Sequence, residues 1–295
     1  MPVPVGIKVI SRWVPETFPY LDEVVAPFDS IWIADHVQHH DRDVAEGWTM
    51  MTYALSRYPD KVCGHEVLCN SFRNPALLAK MVATAQTISG GRVVLGIGAG
   101  WRKEEYRSYN WPFPNLKVRI AQMAEAIRVV RTMWSDSPAN YDGEYYQINE
   151  AHCEPRPNPL PPIMIGCDGE KYSLRVVAEL ADWWNHLYKT NDNLIHKQNI
   201  LRAHCKDVGR DYDEITQIAH VGIRIAPNET ELSQLINNNP PGDGYFIGTP
   251  DQVTEQMLAL VDQGIHRITV HFLDAPQTNE AQLFGSTVIS NLARV

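Results

Sequence analysis

The sequence predicts an α/β fold of the (β/α)8 TIM-barrel type with insertions, formed by a single domain over residues 1–295. Short apolar runs alternate with helical patterns along almost all of the 295 residues, which is the order of parallel strands joined by helices. Polar residues or glycines stand at the ends of several of these runs. In a barrel the carboxyl ends of all strands share one face, and functional sites are built there.

Short runs rich in Val and Ile indicate buried strands. The predicted strands are Val5–Ile10, Ser30–Ala34, Val62–Cys69, Arg92–Ile97, Pro162–Ile165, Asp182–His186, Ile215–Ile225 and Arg267–Phe272. A connection rich in Pro, Asn and Tyr, residues 135–162, interrupts the alternation, and Asp142-Gly143 within it is typical of a hairpin turn. This connection is the main predicted insertion.

Apolar residues spaced by three or four predict helices between the strands. The longest periodic pattern has Ile120, Met123, Ile127 and Val130 on one face. Pro75 follows Asn74 and suits the first position of a helix. The predicted helices are Thr17–Ala26, Trp48–Ser56, Asn74–Ser89, Leu116–Trp134, Glu170–Leu180, Asn191–Val208, Glu229–Asn237, Pro250–Gln263 and Glu280–Ala293.

The composition is that of an ordinary globular protein with an acidic balance. The formal net charge is −9, and hydrophobic residues make up 44% of the chain. Because an acidic chain lacks the basic face that neutralises phosphates, we expect a small-molecule substrate and no nucleic acid. No apolar run approaches the roughly 20 residues that span a bilayer, so no membrane is expected. Five scattered cysteines without a Cys-x-x-Cys spacing predict reduced thiols and a cytoplasmic location.

The most informative motif is the strand end Gly96-Ile97-Gly98-Ala99-Gly100, which is followed by Trp101 and a charged segment of helical character. Glycines at every second position remove one row of side chains, so a flat ligand could lie against the bare backbone beside Trp101. The spacing does not match the G-x-G-x-x-G dinucleotide fingerprint. A tight turn without a ligand explains the glycines equally well, and both interpretations stay open.

Asp35 and His36 close the second predicted strand and are the candidate catalytic pair. A histidine at this point can donate or accept a proton near neutral pH, and an adjacent carboxylate can tune it. A histidine with a purely structural role is the alternative. The neighbouring His39, His40 and Asp41 suggest a metal site, but their spacing fits no common ligand set, so no metal is expected.

A candidate anion site follows the fifth predicted strand, in the segment Gly166-Cys167-Asp168-Gly169-Glu170. Free backbone N–H groups at a helix start bind anions, Gly169 would let a phosphate approach, and Ser173 could add a hydroxyl. The carboxylates of Asp168 and Glu170 oppose an anion there unless their side chains turn outward.

Several segments, in order along nearly the whole chain, form a pattern that is more specific than any one of them. They are Asn74–Lys80, Ile88–Arg92, Leu95–Trp101, Glu105-Tyr106, Pro112–Pro114, Pro161–Gly166, Ala181–Asn185, Gly248–Pro250 and Gly264-Ile265. Together they resemble the bacterial-luciferase-like flavin monooxygenases. The pattern is most similar to the branch of this family that uses the deazaflavin coenzyme F420.

The resemblance implies a luciferase-like barrel, expected to be a homodimer, that binds F420 or alternatively FMN across the carboxyl ends of its strands. The ring system would rest at the end of the third strand, where family members hold a non-proline cis peptide that matches Glu66–Val67. His36 would lie near the reactive C5. The implied cofactor-binding residues are Asp35, His36, Glu66, Val67, Asn70, Gly98, Ala99, Gly100, Trp101, Gly166, Cys167, Asp168, Gly169, Glu170 and Ser173.

Three departures from the family pattern change what the resemblance implies. Glu66 replaces an apolar residue under the ring, where a buried carboxylate would oppose an anionic reduced ring unless it were protonated or turned away. Cys167-Asp168 replaces a glycine pair in the phosphate loop. Trp101 stands where the sugar-phosphate dehydrogenases of the family carry an acid, so we do not expect that activity here.

The function implied is an oxidoreductase that transfers a hydride between C5 of F420 and a small organic substrate, with His36 positioning or relaying a proton. A monooxygenase that uses reduced FMN and dioxygen is the alternative within the family. A metal-dependent barrel hydrolase and a flavin-binding protein without catalysis are the alternatives from other classes.

Overall fold

Parallel strands form the centre of the molecule. The computed structural model describes residues 2–9, 15–39 and 43–294, and within them eight parallel strands close into a barrel. The described ranges contain twelve strands, of which eight form the barrel: β1 (Val5–Val9), β2 (Ser30–Ile33), β3 (Val62–His65), β4 (Leu68–Cys69), β5 (Val93–Gly98), β6 (Ala139–Asp142), β7 (Gln147–Ala151), β8 (Ile163–Gly166), β9 (Trp183–Leu187), β10 (Thr216–Ile225), β11 (Tyr245–Gly248) and β12 (Arg267–Phe272). The barrel runs β1-β2-β3-β5-β8-β9-β10-β12, and β12 pairs with β1 to close it.

Helices surround this barrel and join its strands. They are α1 (Thr17–Val24), α2 (Gly47–Arg57), α3 (Pro75–Ser89), α4 (Lys103–Ser108), α5 (Leu116–Ser135), α6 (Ser173–Leu180), α7 (Asn191–Val208), α8 (Glu229–Asn238), α9 (Pro250–Asp262), α10 (Asn279–Phe284) and α11 (Ser290–Leu292). The predicted (β/α)8 class is therefore confirmed. Among the helices of the described ranges, none is long and apolar enough to cross a bilayer.

Local sequence signals explain why the elements begin and end where they do. Asn74 caps α3 by accepting hydrogen bonds from the N–H groups of Ala76 and Leu77, at 2.9 and 3.3 Å, and Pro75 occupies the first turn. Gly90 ends the helix with a φ of 69°, a conformation that favours glycine. The predicted hairpin in the connection after α5 is present as the antiparallel pair β6–β7.

Three predicted elements differ from the structure, and one strand was not predicted. The third strand is not continuous over Val62–Cys69, because β3 ends before Glu66–Val67 and β4 begins after it. The helix predicted from Glu170 begins at Ser173, and the closing helix contains a π-helical turn. Strand β11 was not predicted. It has four residues and pairs with β10 alone, outside the barrel. Ile10, the predicted end of the first strand, lies outside the described residues.

Candidate active site

A cavity of about 630 Å³ opens at the carboxyl ends of the barrel strands, where barrel enzymes place their sites. Apolar and polar side chains both line it. The lining residues are Lys8, Ala34, Asp35, His36, Glu66, Val67, Leu68, Cys69, Phe72, Gly100, Trp101, Arg102, Glu105, Tyr106, Gly166, Cys167, Asp168, Asn185, Leu187, His220 and His271. Nine of the predicted site residues are among them.

His36 is held by a carboxylate that the sequence analysis did not assign to it. Its Nδ1 lies 3.1 Å from both oxygens of Glu105 on α4. The N–H of Val37 donates to the same carboxylate at 2.8 Å. Burial acts to raise the pKa of Glu105, but these hydrogen bonds outweigh it and hold the pKa below its usual value. An ionised Glu105 therefore fixes the orientation of the His36 ring.

Asp35 does not tune His36 in the way that adjacency in the sequence predicts. Its side chain is fully buried and forms two hydrogen bonds with Arg73, at 2.8 and 2.9 Å. It also accepts the N–H of Cys69 at 2.8 Å. Arg73 in turn pairs with Glu46, which caps α2. Asp35 therefore connects the end of β2 to β4 and α2. The imidazole of His36 is bound by Glu105 instead.

The Glu66–Val67 peptide bond is cis, as the resemblance implied. The Glu66 side chain turns into the barrel, where Oε1 lies 3.6 Å from Nζ of Lys8 and 3.2 Å from Nδ1 of His220. We define the cavity floor as Lys8, Glu66, His220 and His271. A carboxylate on this floor is thus accompanied by a cation and an imidazole.

Protein atoms occupy the space beside the alternating glycines where side chains would otherwise lie. This favours a structural role for these glycines over a bed for a flat ligand. A Cβ at Gly96 would collide with the carbonyl oxygen of His65, and one at Gly98 would lie 2.7 Å from Cγ2 of Val67. Gly98 and Ala99 do not line the cavity. The missing side chains therefore let the backbone around Glu66–Val67 approach β5, and the bare row is not an open bed for a ligand.

Gly100 also serves a close approach between protein groups. It has a φ of 74°, and a Cβ there would lie 2.6 Å from Sγ of Cys69 and collide with the hydroxyl of Tyr106. Those two groups lie 3.0 Å apart. Trp101 follows with 70% of its surface exposed, and its ring lies edge-on to His36 at 6.0 Å. Gly100 and Trp101 both line the cavity, as predicted.

The predicted anion loop is only partly at the cavity. Gly166, Cys167 and Asp168 line it, whereas Gly169, Glu170 and Ser173 do not. The helix was predicted to start at Glu170, but the chain becomes helical only at Ser173. Four residues, 169–172, therefore lie between Asp168 on the cavity wall and the first residue of the helix.

The two acidic side chains of this loop are engaged by cations or imidazoles. Oδ1 of Asp168 lies 2.8 Å from Nδ1 of the fully buried His186. Glu170 points outward and pairs with Lys197 at 2.6 Å and with His196 at 3.2 Å. The loop thus meets the condition that Glu170 turn away from an anion, while Asp168 stays on the cavity wall.

Asn70 lies beside the cavity wall without lining it. It is buried in the single turn after β4 and donates to the hydroxyl of Tyr146 at 3.3 Å. The contact joins the end of the third strand to the hairpin β6–β7. Asn70 therefore supports the wall from behind.

Three buried polar atoms of the lining have no hydrogen-bond partner among the described residues: Oε2 of Glu66, Nη1 of Arg102 and Nδ2 of Asn185. Buried polar groups are normally paired, so these atoms suit a ligand that carries both donors and acceptors. The apolar part of the lining, which includes Val67, Leu68 and Trp101, suits a planar ring. The lining therefore fits a flavin or deazaflavin.

A metal centre finds no support in the part of the chain that the structure describes. Within residues 2–9, 15–39 and 43–294, no group of three or more His, Cys, Asp or Glu side chains is placed to hold a metal ion. His36 and His39 belong to that part, and His40 and Asp41 lie outside it.

Several polar side chains that barrel closure brings to the cavity were not predicted as site residues. Lys8 interrupts the otherwise apolar strand β1, and a lone polar residue inside a buried run was the signal that could have found it. His220 and His271 carry no such signal, because β10 and β12 contain other polar residues as well. Glu105 was noted as part of a family motif only. Its role becomes visible because α4 folds back over the end of β2.

This arrangement defines the class of parallel (β/α)8 barrels whose site lies at the carboxyl ends of the strands. The chain belongs to the luciferase-like monooxygenase family, whose model matches residues 26–239.

Comparison with individual proteins agrees with this assignment. The chain is 31% identical over 306 residues to the F420-dependent glucose-6-phosphate dehydrogenase of Nakamurella multipartita, a match that covers 90% of this chain and 88% of that one. It is 26% identical over 262 residues to the FMNH2-dependent dimethylsulfone monooxygenase of Pseudomonas putida, covering 73% and 70%. An F420-dependent secondary alcohol dehydrogenase has the same fold, with a TM-score of 0.85, 18% identity and coverage of 97% and 98%.

Proposed function

We propose that this protein is an F420-dependent oxidoreductase that transfers a hydride between the cofactor and a small organic substrate. The observation that carries the proposal is His36, an imidazole on the cavity wall whose Nδ1 is held by Glu105 at 3.1 Å. When bound, F420 would supply the hydride chemistry at C5. The protein would orient the reactants and handle the proton.

His36 is the proposed proton-handling group at the end of β2. Because Nδ1–H donates to an ionised Glu105, Nε2 is left as the acceptor of the neutral ring. An imidazole in this tautomer takes a proton at Nε2 and is stabilised as a cation by the carboxylate behind it. Asp35 supports this arrangement by fixing the strand end through Arg73.

We propose that the cavity lining holds the cofactor. Val67, Gly100, Trp101, Gly166 and Cys167 would pack against the ring and its side chain. Gly98, Ala99 and Asn70 would contribute by shaping the wall behind them. The unpaired N–H groups of Arg102 and Asn185 would donate to oxygen atoms of the cofactor or substrate.

The phosphate would lie beyond Asp168, beside Gly169, Glu170 and Ser173. The side chain of Ser173 faces Gly169, since a Cβ at residue 169 would lie 2.8 Å from its Oγ. Lys197 donates to the carbonyl of Asp168 at 2.8 Å and adds positive charge to the loop.

A monooxygenase that uses reduced FMN and dioxygen is the second candidate. The relative from Pseudomonas putida, which is named as FMNH2-dependent, favours it. The cavity fits either ring system, so binding must discriminate between the two cofactors.

A sugar phosphate is not the substrate we propose, although several relatives are named as glucose-6-phosphate dehydrogenases. Trp101 brings an exposed, uncharged ring to the cavity at the position where the resemblance expects an acid in those enzymes. An indole offers one N–H donor and a large apolar face. It favours a less polar substrate.

We further propose one catalytic domain over residues 1–295, a homodimer and a cytoplasmic location. Exposed apolar side chains on neighbouring helices, Tyr53 of α2 and Leu77 and Ile88 of α3, support a subunit interface there. All five cysteines carry free thiols, which suits a reducing compartment. The net charge of −9 supports a small-molecule partner over nucleic acid. Light scattering of the purified protein tests the dimer.

The decisive experiment is fluorescence titration of the purified protein with F420 and with FMN, each in oxidised and reduced form. Tight binding of F420 without binding of FMN supports the proposal, and preference for reduced FMN supports the monooxygenase. If neither cofactor binds, the oxidoreductase and the monooxygenase proposals are both wrong, and the metal-dependent hydrolase becomes the hypothesis to test. His36→Ala should retain cofactor binding and lose turnover. His152→Ala, at an exposed histidine that directly follows β7, should change neither.

A further inference from the structure

Four side chains form a continuous polar line from the cavity floor to strand β11. Nδ1 of His220 lies 3.2 Å from Oε1 of Glu66. Nε2 of His220 lies 3.0 Å from Nδ1 of His271, and the hydroxyl of Tyr245 lies 2.8 Å from Nε2 of His271. A carboxylate, two imidazoles and a phenol are thus joined at distances that allow hydrogen bonds.

Strand register explains why the line exists. Gly222 of β10 pairs with His271 of β12 on one side and with Tyr245 of β11 on the other. A Cβ at Gly222 would lie 2.5 Å from Cδ1 of Tyr245. The absence of a side chain there lets the phenol ring cross over β10 and reach His271.

The cavity end of the line is incomplete. The Glu66 side chain is 3% exposed and lines the cavity, yet its Oε2 has no hydrogen-bond partner within the described residues. Lys8, at 3.6 Å from Oε1, balances the charge but leaves the second oxygen free. Because a buried carboxylate oxygen without a donor is unfavourable, Oε2 is poised to accept an O–H or N–H group of a ligand.

The middle of the line is suited to passing protons. Burial lowers the pKa of His220 well below its usual value, and the charge of Lys8 lowers it further, so its ring is neutral. A neutral imidazole has one donor and one acceptor nitrogen. Nδ1 of His220 also lies 3.1 Å from the hydroxyl of Thr269, which can donate or accept and therefore tolerates both tautomers.

We propose that Glu66 is a second proton-transfer group of the active site, and that His220 and His271 connect it to the hydroxyl of Tyr245. This inference rests on the proposed oxidoreductase function, which requires that a proton leave or reach the substrate for each hydride transferred. Glu66 would touch the substrate and is the catalytic member. His220, His271 and Tyr245 act through it.

The step balances as a proton relay. If a hydroxyl-bearing substrate is oxidised, bound F420 would accept the hydride from carbon, and Oε2 of Glu66 would accept the hydroxyl proton. Rotation of the Glu66 carboxyl group then brings the protonated oxygen to the position of Oε1, which lies 3.2 Å from Nδ1 of His220. Nδ1 takes this proton while Nε2 of His220 passes its own to Nδ1 of His271. Nε2 of His271 then passes its own proton to the hydroxyl oxygen of Tyr245. The phenol, which is partly exposed, releases its hydroxyl proton to solvent water. Reduction of the corresponding carbonyl uses the same path in reverse.

The relay is tested without any ligand by measuring hydrogen exchange of the His220 ring N–H with water, by NMR of protein labelled with 15N-histidine. A direct exchange path is poor because the His220 side chain is 4% exposed. His271→Phe and Tyr245→Phe should each slow the exchange about tenfold. Tyr53→Phe, at an exposed tyrosine of α2, should leave it unchanged. Exchange rates in His271→Phe equal to those of the parent protein overturn the relay.

The catalytic role is tested with oxidised F420 and a panel of small secondary alcohols as probes. Glu66→Gln should bind F420 as well as the parent protein does and lower kcat about 100-fold, within the range of a general acid–base group. His271→Phe should lower kcat with an unchanged KM and enlarge the solvent isotope effect. Full turnover by Glu66→Gln overturns the assignment.

Failure of this inference and of the proposed function are distinguishable. If F420 does not bind the parent protein, the proposed function fails, and the exchange measurement alone decides whether the line conducts protons. If F420 binds and exchange is insensitive to His271→Phe, only the relay fails. A thermal melt of each variant confirms that the barrel is intact.

Discussion

Glu105 holds His36 from a distance of 69 residues in the sequence, with both carboxylate oxygens 3.1 Å from Nδ1 of the imidazole. The same carboxylate accepts the N–H of Val37, so it fixes the backbone as well as the ring. Helix α4, which carries Glu105, therefore positions the end of β2. The proposed proton-handling group depends on this contact more than on the neighbouring Asp35.

Glu105→Gln should lower turnover roughly 10- to 100-fold, because a neutral amide no longer stabilises protonated His36. The amide oxygen can still accept the N–H of Val37, so cofactor affinity should change little. Steady-state kinetics and fluorescence titration of the same variant measure the two effects. Glu255→Gln, at an exposed glutamate of α9, is the matched control and should behave as the parent protein. Equal turnover in both variants would show that Glu105 does not act on the reaction.

Arg73→Leu should destabilise the protein by about 3–5 kcal/mol, the usual result of removing one partner of a buried ion pair. It leaves the carboxylate of Asp35, whose side chain is fully buried, with the N–H of Cys69 as its one remaining donor among the described residues. Urea denaturation measures the change. Arg57→Leu breaks an ion pair with Asp22 in which both side chains are about 40% exposed, and it should cost about 0–1 kcal/mol. Equal losses in the two variants would contradict the role given to Asp35.

Stability should fall as the pH is lowered from about 6.5 to 4, in part because of His65. Burial lowers the pKa of His65 to about 4 in the folded protein, although the charge of Asp35 opposes this effect, while an unfolded histidine titrates near pH 6.5. Between these values the unfolded chain binds more protons, so acid favours unfolding.

His65→Phe should reduce this pH dependence by up to about one proton. The substitution retains the stacking against Trp48, whose ring centroid lies 5.7 Å away. Urea titrations at several pH values measure the slope. His152→Phe, at a histidine side chain with 67% exposure, should leave the slope as it is. An unchanged slope in His65→Phe would mean that His65 is not kept neutral by the fold.

Gly100→Ala should weaken cofactor binding at least about tenfold and lower the unfolding free energy by about 2 kcal/mol. The positive φ costs an alanine roughly 1–2 kcal/mol, and its Cβ would push apart Cys69 and Tyr106 on the cavity wall. Titration and thermal melts measure the two effects. Gly242→Ala, where a Cβ meets nothing within 4 Å, is the control. Unimpaired binding by Gly100→Ala would exclude this wall from the cofactor site.

Local features of this protein followed from the sequence because they depend on neighbouring residues. The cap at Asn74 and Pro75 was predictable, since a cap is formed within one helical turn. The barrel class followed from the alternation of apolar runs and helical periodicity. The resemblance of separate segments to one family supplied the cis bond at Glu66–Val67, which no local pattern indicates.

The partners of the site residues were decided by the tertiary structure. Asp35 and His36 are adjacent in the chain, yet their side chains bind Arg73 and Glu105 respectively. The glycines after β5 suggested space for a ligand, and the fold filled that space with the backbone around Val67. Periodicity shows which face of a strand is buried, but it does not show what lies against that face.

The sequence alone determined the barrel, the position of His36 at a strand end and the family. Only closure of the barrel decided that Lys8 of β1, Glu66 after β3, His220 of β10 and His271 of β12 share one cavity floor. The physical reason is the range of the forces involved. Propensity and periodicity act within a few residues, whereas a charge, an imidazole and a carboxylate far apart in the chain interact only when strand register places them a few ångströms apart.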